Sequence, residues 1–171
     1  MYELINITMD DNQKTTLKKW RARCKRAQIA HNYTAISYIR FHTCIGILLI
    51  ILTIGGSVIT FAPFPETQHW IPIIISISAT MFAAFQTFMN FSEQAEIHRT
   101  TARRYGEIKK EIEYILDFIS ESKQLEDIVD KIRAKEVEIS QDAPNTLVRN
   151  WNRAKKETLE ENDKCSIRNS T

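Results

Sequence analysis

Two long uncharged runs limit what this chain can become more than any other feature of its sequence. Between Cys44 and Ala62 the chain reads CIGILLIILTIGGSVITFA, and after the proline-flanked connector PFPETQHW it reads IPIIISISATMFAAFQTFMNF. Each run holds about 20 residues, and at 1.5 Å of rise per helical residue it covers about 30 Å, the thickness of a bilayer's hydrocarbon core. Core helices of soluble bundles carry charge on their outer face, and these runs carry none. Neither run alternates apolar and polar residues, so the spans are helices rather than barrel strands. The expected fold is an all-α membrane protein: a two-transmembrane hairpin over 41–91, with spans at about 41–62 and 71–91. A basic helix within 1–40 precedes it, long cytoplasmic amphipathic helices over 92–161 follow it, and 162–171 reads as a disordered tail.

Charge orients the hairpin. Seven basic residues fall between Lys14 and Arg26 with no acid among them, and Arg40 follows just before the first span. Beyond the second span come Arg99, Arg103, Arg104, Lys109 and Lys110, whereas the connector has no Lys or Arg. Under the positive-inside rule both termini are cytoplasmic and Pro63 to Trp70 lie outside. Pro63 and Pro65 end the first helix, Pro72 suits the first turn of the second, and Phe64 and Trp70 fit an interfacial aromatic belt. The first 40 residues hold no apolar signal-peptide core, so the first span is expected to act as its own insertion signal. Cys24, Cys44 and Cys165 form neither a disulfide framework nor a metal site and read as reduced thiols.

Leu17, Trp20, Cys24, Ala27 and His31 step by three or four along the basic helix and give it one weakly apolar face. It reads either as a cytoplasmic helix feeding straight into the first span or as an interfacial helix with Trp20 at the headgroups. Basic residues beside a span are expected in either case, and no nucleic-acid partner is implied.

In the second span Ser76, Thr80, Ala83, Thr87 and Asn90 follow at spacings of four, three, four and three. They form a stripe of small or polar side chains on a helix otherwise of Ile, Met and Phe. The stripe is a helix–helix seam or the lining of an aqueous path in an oligomer. Thr53, Ser57 and Thr60 share a face of the first span, with Gly55 and Gly56 permitting close packing. No charge lies inside either span, which argues against a proton relay or carboxylate ion site. Glu93, one turn past Asn90, is the nearest acid at the cytoplasmic mouth and would favour cations if repeated around a ring.

Past Asn90 the pattern continues as one unbroken helix. Ala95, His98, Ala102, Tyr105, Ile108, Ile112, Ile115 and Ile119 keep a three-four rhythm, a narrow coiled-coil-like seam. His98 on that seam reads as a packed, hydrogen-bonded core histidine, and His98, Tyr105, Ile108 and Ile112 are the expected cytoplasmic packing contacts. Leu125, Ile128, Val129 and Ile132 renew the pattern, Asp142-Ala-Pro144 ends it, and a short helix with Leu147, Val148, Trp151 and Ala154 follows.

A helix carrying AHNYTAISYIRFH into the first span, the series Ala95, His98, Ala102, Tyr105, Ile108 after the second, and an Ala-Pro pair before Trp151 together resemble the SLATT domain family. These are two-transmembrane effectors associated with nucleotide-signalling conflict systems. The resemblance covers roughly residues 15 to 158. It implies a multi-pass membrane effector that oligomerises into a pore when a partner senses infection. The expected partners are the lipid bilayer, further copies of the chain and a cytoplasmic sensor protein. No Gly-rich phosphate loop, Cys/His ligand cluster or Ser-His-acid set is present, so no enzyme activity, cofactor or metal is expected. The leading expectation is a homo-oligomeric pore or channel-like effector; the alternative is a non-conducting membrane adaptor whose cytoplasmic helices recruit a partner.

Overall fold

A computed structural model describes residues 11–61, 70–118 and 122–168, with side chains throughout except at 60, 122–126 and 161–168. Among the described residues the chain is helical with no strand: α1 spans Asp11–Phe61, α2 Trp70–Met89, α3 Phe91–Phe118, α4 Ser122–Asp142 and α5 Val148–Arg168. Residues 62–69, which hold most of the connector, and 119–121, which include Ile119 of the expected seam, lie outside the described residues. The chain divides into two compact units, Met1–Thr34 with Ile97–Thr171, and Ala35–Glu96.

In the first unit, the apolar faces read from the sequence meet one another. Leu17, Cys24 and Ala27 of α1, Tyr105, Ile108, Ile112 and Ile115 of α3, and Ile132 and Ile139 of α4 make one core, with Trp20, Leu116, Ile128 and Val129 packed against it. Ile108 and Ile112 are 2% and 0% exposed. Burying a side chain of that size stabilises by about 2 to 3 kcal/mol. The seam therefore joins three helices of one chain in a bundle, rather than pairing two helices as a coiled coil would. Trp20 is half-buried and packs on this core. At the rim, Arg23 binds Glu136 through two bonds of 2.6 and 2.7 Å. Arg104 reaches Glu138 at 2.7 Å and Asp142 at 3.5 Å, and Lys135 reaches Glu111 at 2.5 Å. These pairs fix the register of α4 on α1 and α3; exposed pairs of this kind contribute at most about 1 kcal/mol each.

Pro144 disfavours a helical conformation at the residue before it and so ends α4. The carbonyl of Leu147 then accepts bonds from the amides of Asn150 and Trp151 at 2.9 and 3.0 Å and opens α5. Helix α5 lays Asn150, Ala154 and Thr158, spaced by four, against the bundle. The Asn150 amide donates to Thr34 at 3.2 Å, and Arg26 donates to Thr158 at 3.4 Å. The helix continues to Arg168, so the segment expected to be disordered from 162 is helical to that point. Neither proline nor glycine interrupts 148–168, and Lys156 and Glu160 pair across one turn at 3.8 Å.

The second unit contains the apolar helices. Partner numbers fall on α2 as they rise on α1: His42 bonds Gln86 at 3.2 Å, and a Cβ on Gly56 would stand 3.1 Å from Ile75 Cγ2. The contacts are thus antiparallel, and Gly56 permits the close approach that Gly55 and Gly46, with nothing nearby, do not need. The break between α2 and α3 differs from the expected unbroken helix. Asn90 takes a φ of 42°, a left-handed conformation that asparagine tolerates better than most residues. Its carbonyl receives the Gln94 amide at 3.2 Å and its side chain donates to Glu93. Asn90 thereby ends α2 and opens α3, its carbonyl accepting from the first turn and its side-chain amide pairing with Glu93.

Candidate functional site

The apolar windows of α1 and α2 have no buried share within the chain. Ile47, Ile50, Ile51, Ile54 and Val58 of α1, and Ile73, Ile77, Met81 and Phe88 of α2, are all more than half exposed. Soluble monomers rarely expose contiguous apolar patches beyond a few hundred Å². This surface requires an apolar solvent.

On that surface the five stripe residues of α2 are all exposed in the single chain. The hydroxyls of Thr80 and Thr87 donate to the carbonyls of Ser76 and Ala83 in their own helix, at 2.9 and 3.0 Å. Thr53 and Ser57 of α1 do the same, to Leu49 and Thr53 at 2.9 and 2.8 Å. These bonds satisfy the hydroxyl protons without a partner helix, which is how such residues survive in lipid. The stripe divides into two parts. Ala83, Thr87 and Asn90 line an open groove of about 510 Å³, facing His42 and Leu49 of α1, whereas Ser76 and Thr80 lie outside it.

His42 and Gln86 form the polar floor of this groove, a pair that the stripe reading missed. The Oε1 of Gln86 is buried with no hydrogen-bond partner. Four aromatic rings gather at the same end of the helices: Phe91 stacks on Tyr38 and Phe41, each with centroids 6.2 Å apart, and Phe85 tilts onto Phe91 at 5.9 Å. Glu93 is exposed and bonded to Asn90.

In the other unit the distinctive chemistry is a buried histidine pair. The two Nδ1 atoms of His31 and His98 lie 2.9 Å apart, with the residues 5% and 1% exposed. One Nδ1 must donate and the other accept, so the pair is held in opposite tautomers while both rings are neutral. Tyr105 stacks on His31 with centroids 5.8 Å apart. Burial, with a smaller contribution from His98, pulls His31 down to about 4, and burial also lowers His98. Below them the Cys24 thiol is pushed up to about 11, first by burial and then by the charge of Glu136, so it is a packed thiol and no nucleophile. The sequence placed His98 as a core histidine; its partner His31 was read only as one step in an apolar face.

The seam residues His98, Tyr105, Ile108 and Ile112 thus come together inside one unit, and the stripe residues share one face of α2 in the other. No curated protein and no solved structure matches this chain. The family described as "SMODS and SLOG-associating 2TM effector domain family 4" matches residues 14–170, nearly the whole of it. The histidine, alanine and tyrosine spacing that resembled SLATT domains after the second apolar run is therefore shared descent, and this integral membrane protein belongs to SLATT effector domain family 4.

Proposed function

We propose that this chain is a homo-oligomeric, pore-forming membrane effector acting in conflict signalling. Both apolar helices cross the bilayer, with the two termini on the cytoplasmic side. The observation that carries the reading is the stripe on α2: small and hydroxylated side chains, all exposed, running the length of a helix whose remaining positions are mostly large and apolar. Lipid gains nothing from such a face, whereas neighbouring copies gain close packing and a water path gains a neutral, hydroxylated wall. Ala83, Thr87 and Asn90 serve the packing of α2 on α1 around the groove, and Ser76 and Thr80 line the path. Glu93 contributes a ring of acids at the cytoplasmic mouth and a weak preference for cations. A cytoplasmic sensor protein supplies the trigger through the helical body.

Conductance of purified protein in planar bilayers, paired with its oligomeric state, tests this. Thr80→Leu is expected to abolish current while leaving the oligomer intact, and Phe82→Leu to leave both unchanged. Loss of the oligomer with Thr80→Leu would make the stripe a seam. Wild-type current with an intact oligomer would remove it from the pathway. Absence of any flux from an assembled wild type would favour the non-conducting adaptor.

A further inference from the structure

We infer that the groove between α1 and α2 holds the headgroup of a membrane phospholipid, and that it selects the primary ammonium of an ethanolamine lipid over a quaternary one. Every residue lining the groove belongs to the second unit. The site requires α1 and α2 to stand in lipid, but it does not require them to conduct. Its place in the chain says what covers it. Arg40 precedes the apolar run of α1, and Ser92 and Glu93 follow that of α2. The bond between His42 and Gln86 sets these two ends side by side. Both walls therefore turn from polar to apolar at one level, with the exposed Ile47, Ile50 and Ile54 of α1 following. In a bilayer that level holds headgroups and glycerol, so the molecule that meets the groove is a lipid. The volume of about 510 Å³ is that of an ordinary small-molecule site.

The polar groups of the walls decide which headgroup fits. The Thr87 hydroxyl gives its proton to the Ala83 carbonyl at 3.0 Å, the Asn90 amide gives one to Glu93, and the Gln86 amide gives one to His42 at 3.2 Å. Acceptors are left over. They are the lone pairs of Thr87, the exposed carboxylate of Glu93 beside Asn90, and the Gln86 Oε1, which is buried with no partner. An acceptor buried without a donor is costly. The last torsion of a glutamine is soft, so a turn of the amide presents that oxygen to a donor in the groove.

A primary ammonium brings N–H donors together with a positive charge, and so serves both the orphaned oxygen and the acid. A quaternary ammonium carries the same charge but has no N–H to give. The phosphate of the headgroup takes donors that remain, the Ser92 hydroxyl and the His42 ring proton. That proton stands on Nε2, because Nδ1 accepts from Gln86.

Full-length protein in detergent is offered lipids that differ by one methyl group at a time: phosphatidylethanolamine, its N-methyl and N,N-dimethyl forms, and phosphatidylcholine, all with the same acyl chains. Bound lipid is counted by native mass spectrometry, two lipids in competition. The ethanolamine lipid is expected to win over the choline lipid by about tenfold, the weight of one charge-assisted hydrogen bond, with the methylated forms in between. Gln86→Met keeps the shape of the side chain without its oxygen and should bring the ratio close to one. Ser76→Ala, on the same helix but outside the groove, should leave it unchanged. A preference that survives Gln86→Met comes from headgroup size and overturns the assignment. Equal retention of every lipid by the wild type means that water fills the groove, and phosphatidylglycerol binding as well as the ethanolamine lipid means that hydroxyls or phosphate suffice; either result overturns it. If the chain retains no lipid and stays dispersed once detergent is removed, the spanning reading falls and takes the site with it. Should Gln86→Met lose helicity by circular dichroism, Thr87→Val removes a neighbouring acceptor at nearly constant shape, and a wild-type ratio in that variant counts against the site.

Discussion

Mild acid should loosen the cytoplasmic body, and the histidine pair sets the size of the effect. In the unfolded chain a histidine takes up a proton near pH 6.5, whereas His31 in the folded body resists protonation until about 4. Between those values the unfolded state binds more protons, so stability is complete above about 6.5 and falls as pH drops toward 4. From pH 7.5 to pH 5 the linkage for His31 alone comes to about 2 kcal/mol. His98 and Tyr105 face His31 from α3, and Glu136 of α4 acts on Cys24 and Tyr105. For a body of this size the loss lowers the melting temperature on the order of 10 °C. The assay is thermal unfolding in detergent followed by circular dichroism, at pH 7.5 and pH 5. The control is a chain with His31→Leu and His98→Leu, which removes both partners together and leaves no orphaned nitrogen. Its melting temperature should be nearly independent of pH over that window. If it falls as far as the wild type, the acid sensitivity lies elsewhere and the burial argument for His31 is wrong.

Further expectations concern packing, topology and the α2–α3 joint. Ile112→Ala opens a cavity in a fully buried site and should cost about 2 to 5 kcal/mol; chemical denaturation of the detergent-solubilised protein reads this, and a change under about 0.5 kcal/mol would refute the packing. Ile108→Asp should unfold the body itself rather than merely separate subunits, seen as loss of helicity as well as altered elution on a sizing column. Asn90→Gly should be tolerated because glycine accepts the positive φ, whereas Asn90→Val should cost about 1 to 2 kcal/mol from conformation; equal melting temperatures for the two would refute a left-handed joint. Thr67→Cys, in a chain without its native cysteines, should react with a membrane-impermeant thiol reagent in intact cells, and labelling at Lys156→Cys instead would invert the topology.

The sequence alone was enough for the class of fold, because a run of about 20 residues without charge leaves a chain little choice but a helix in lipid. It also specified which faces of the polar helices are buried: Leu17, Cys24, Ile108, Ile112 and Ile132 sit at the spacings that three-four periodicity demands, and the core consists of them. Periodicity cannot say what a face meets. Whether the α3 seam joined subunits or the chain's own helices was decided by long-range contacts with α1 and α4, which no local pattern encodes. The same holds for His31 and His98, 67 positions apart, whose bond exists only because α1 and α3 lie side by side. The helix break at Asn90 escaped notice because a single residue in the left-handed region leaves the apolar rhythm on either side intact. The helical stretch after residue 162 escaped because polar composition alone resembles disorder, although neither proline nor glycine interrupts the chain from 148 to 168.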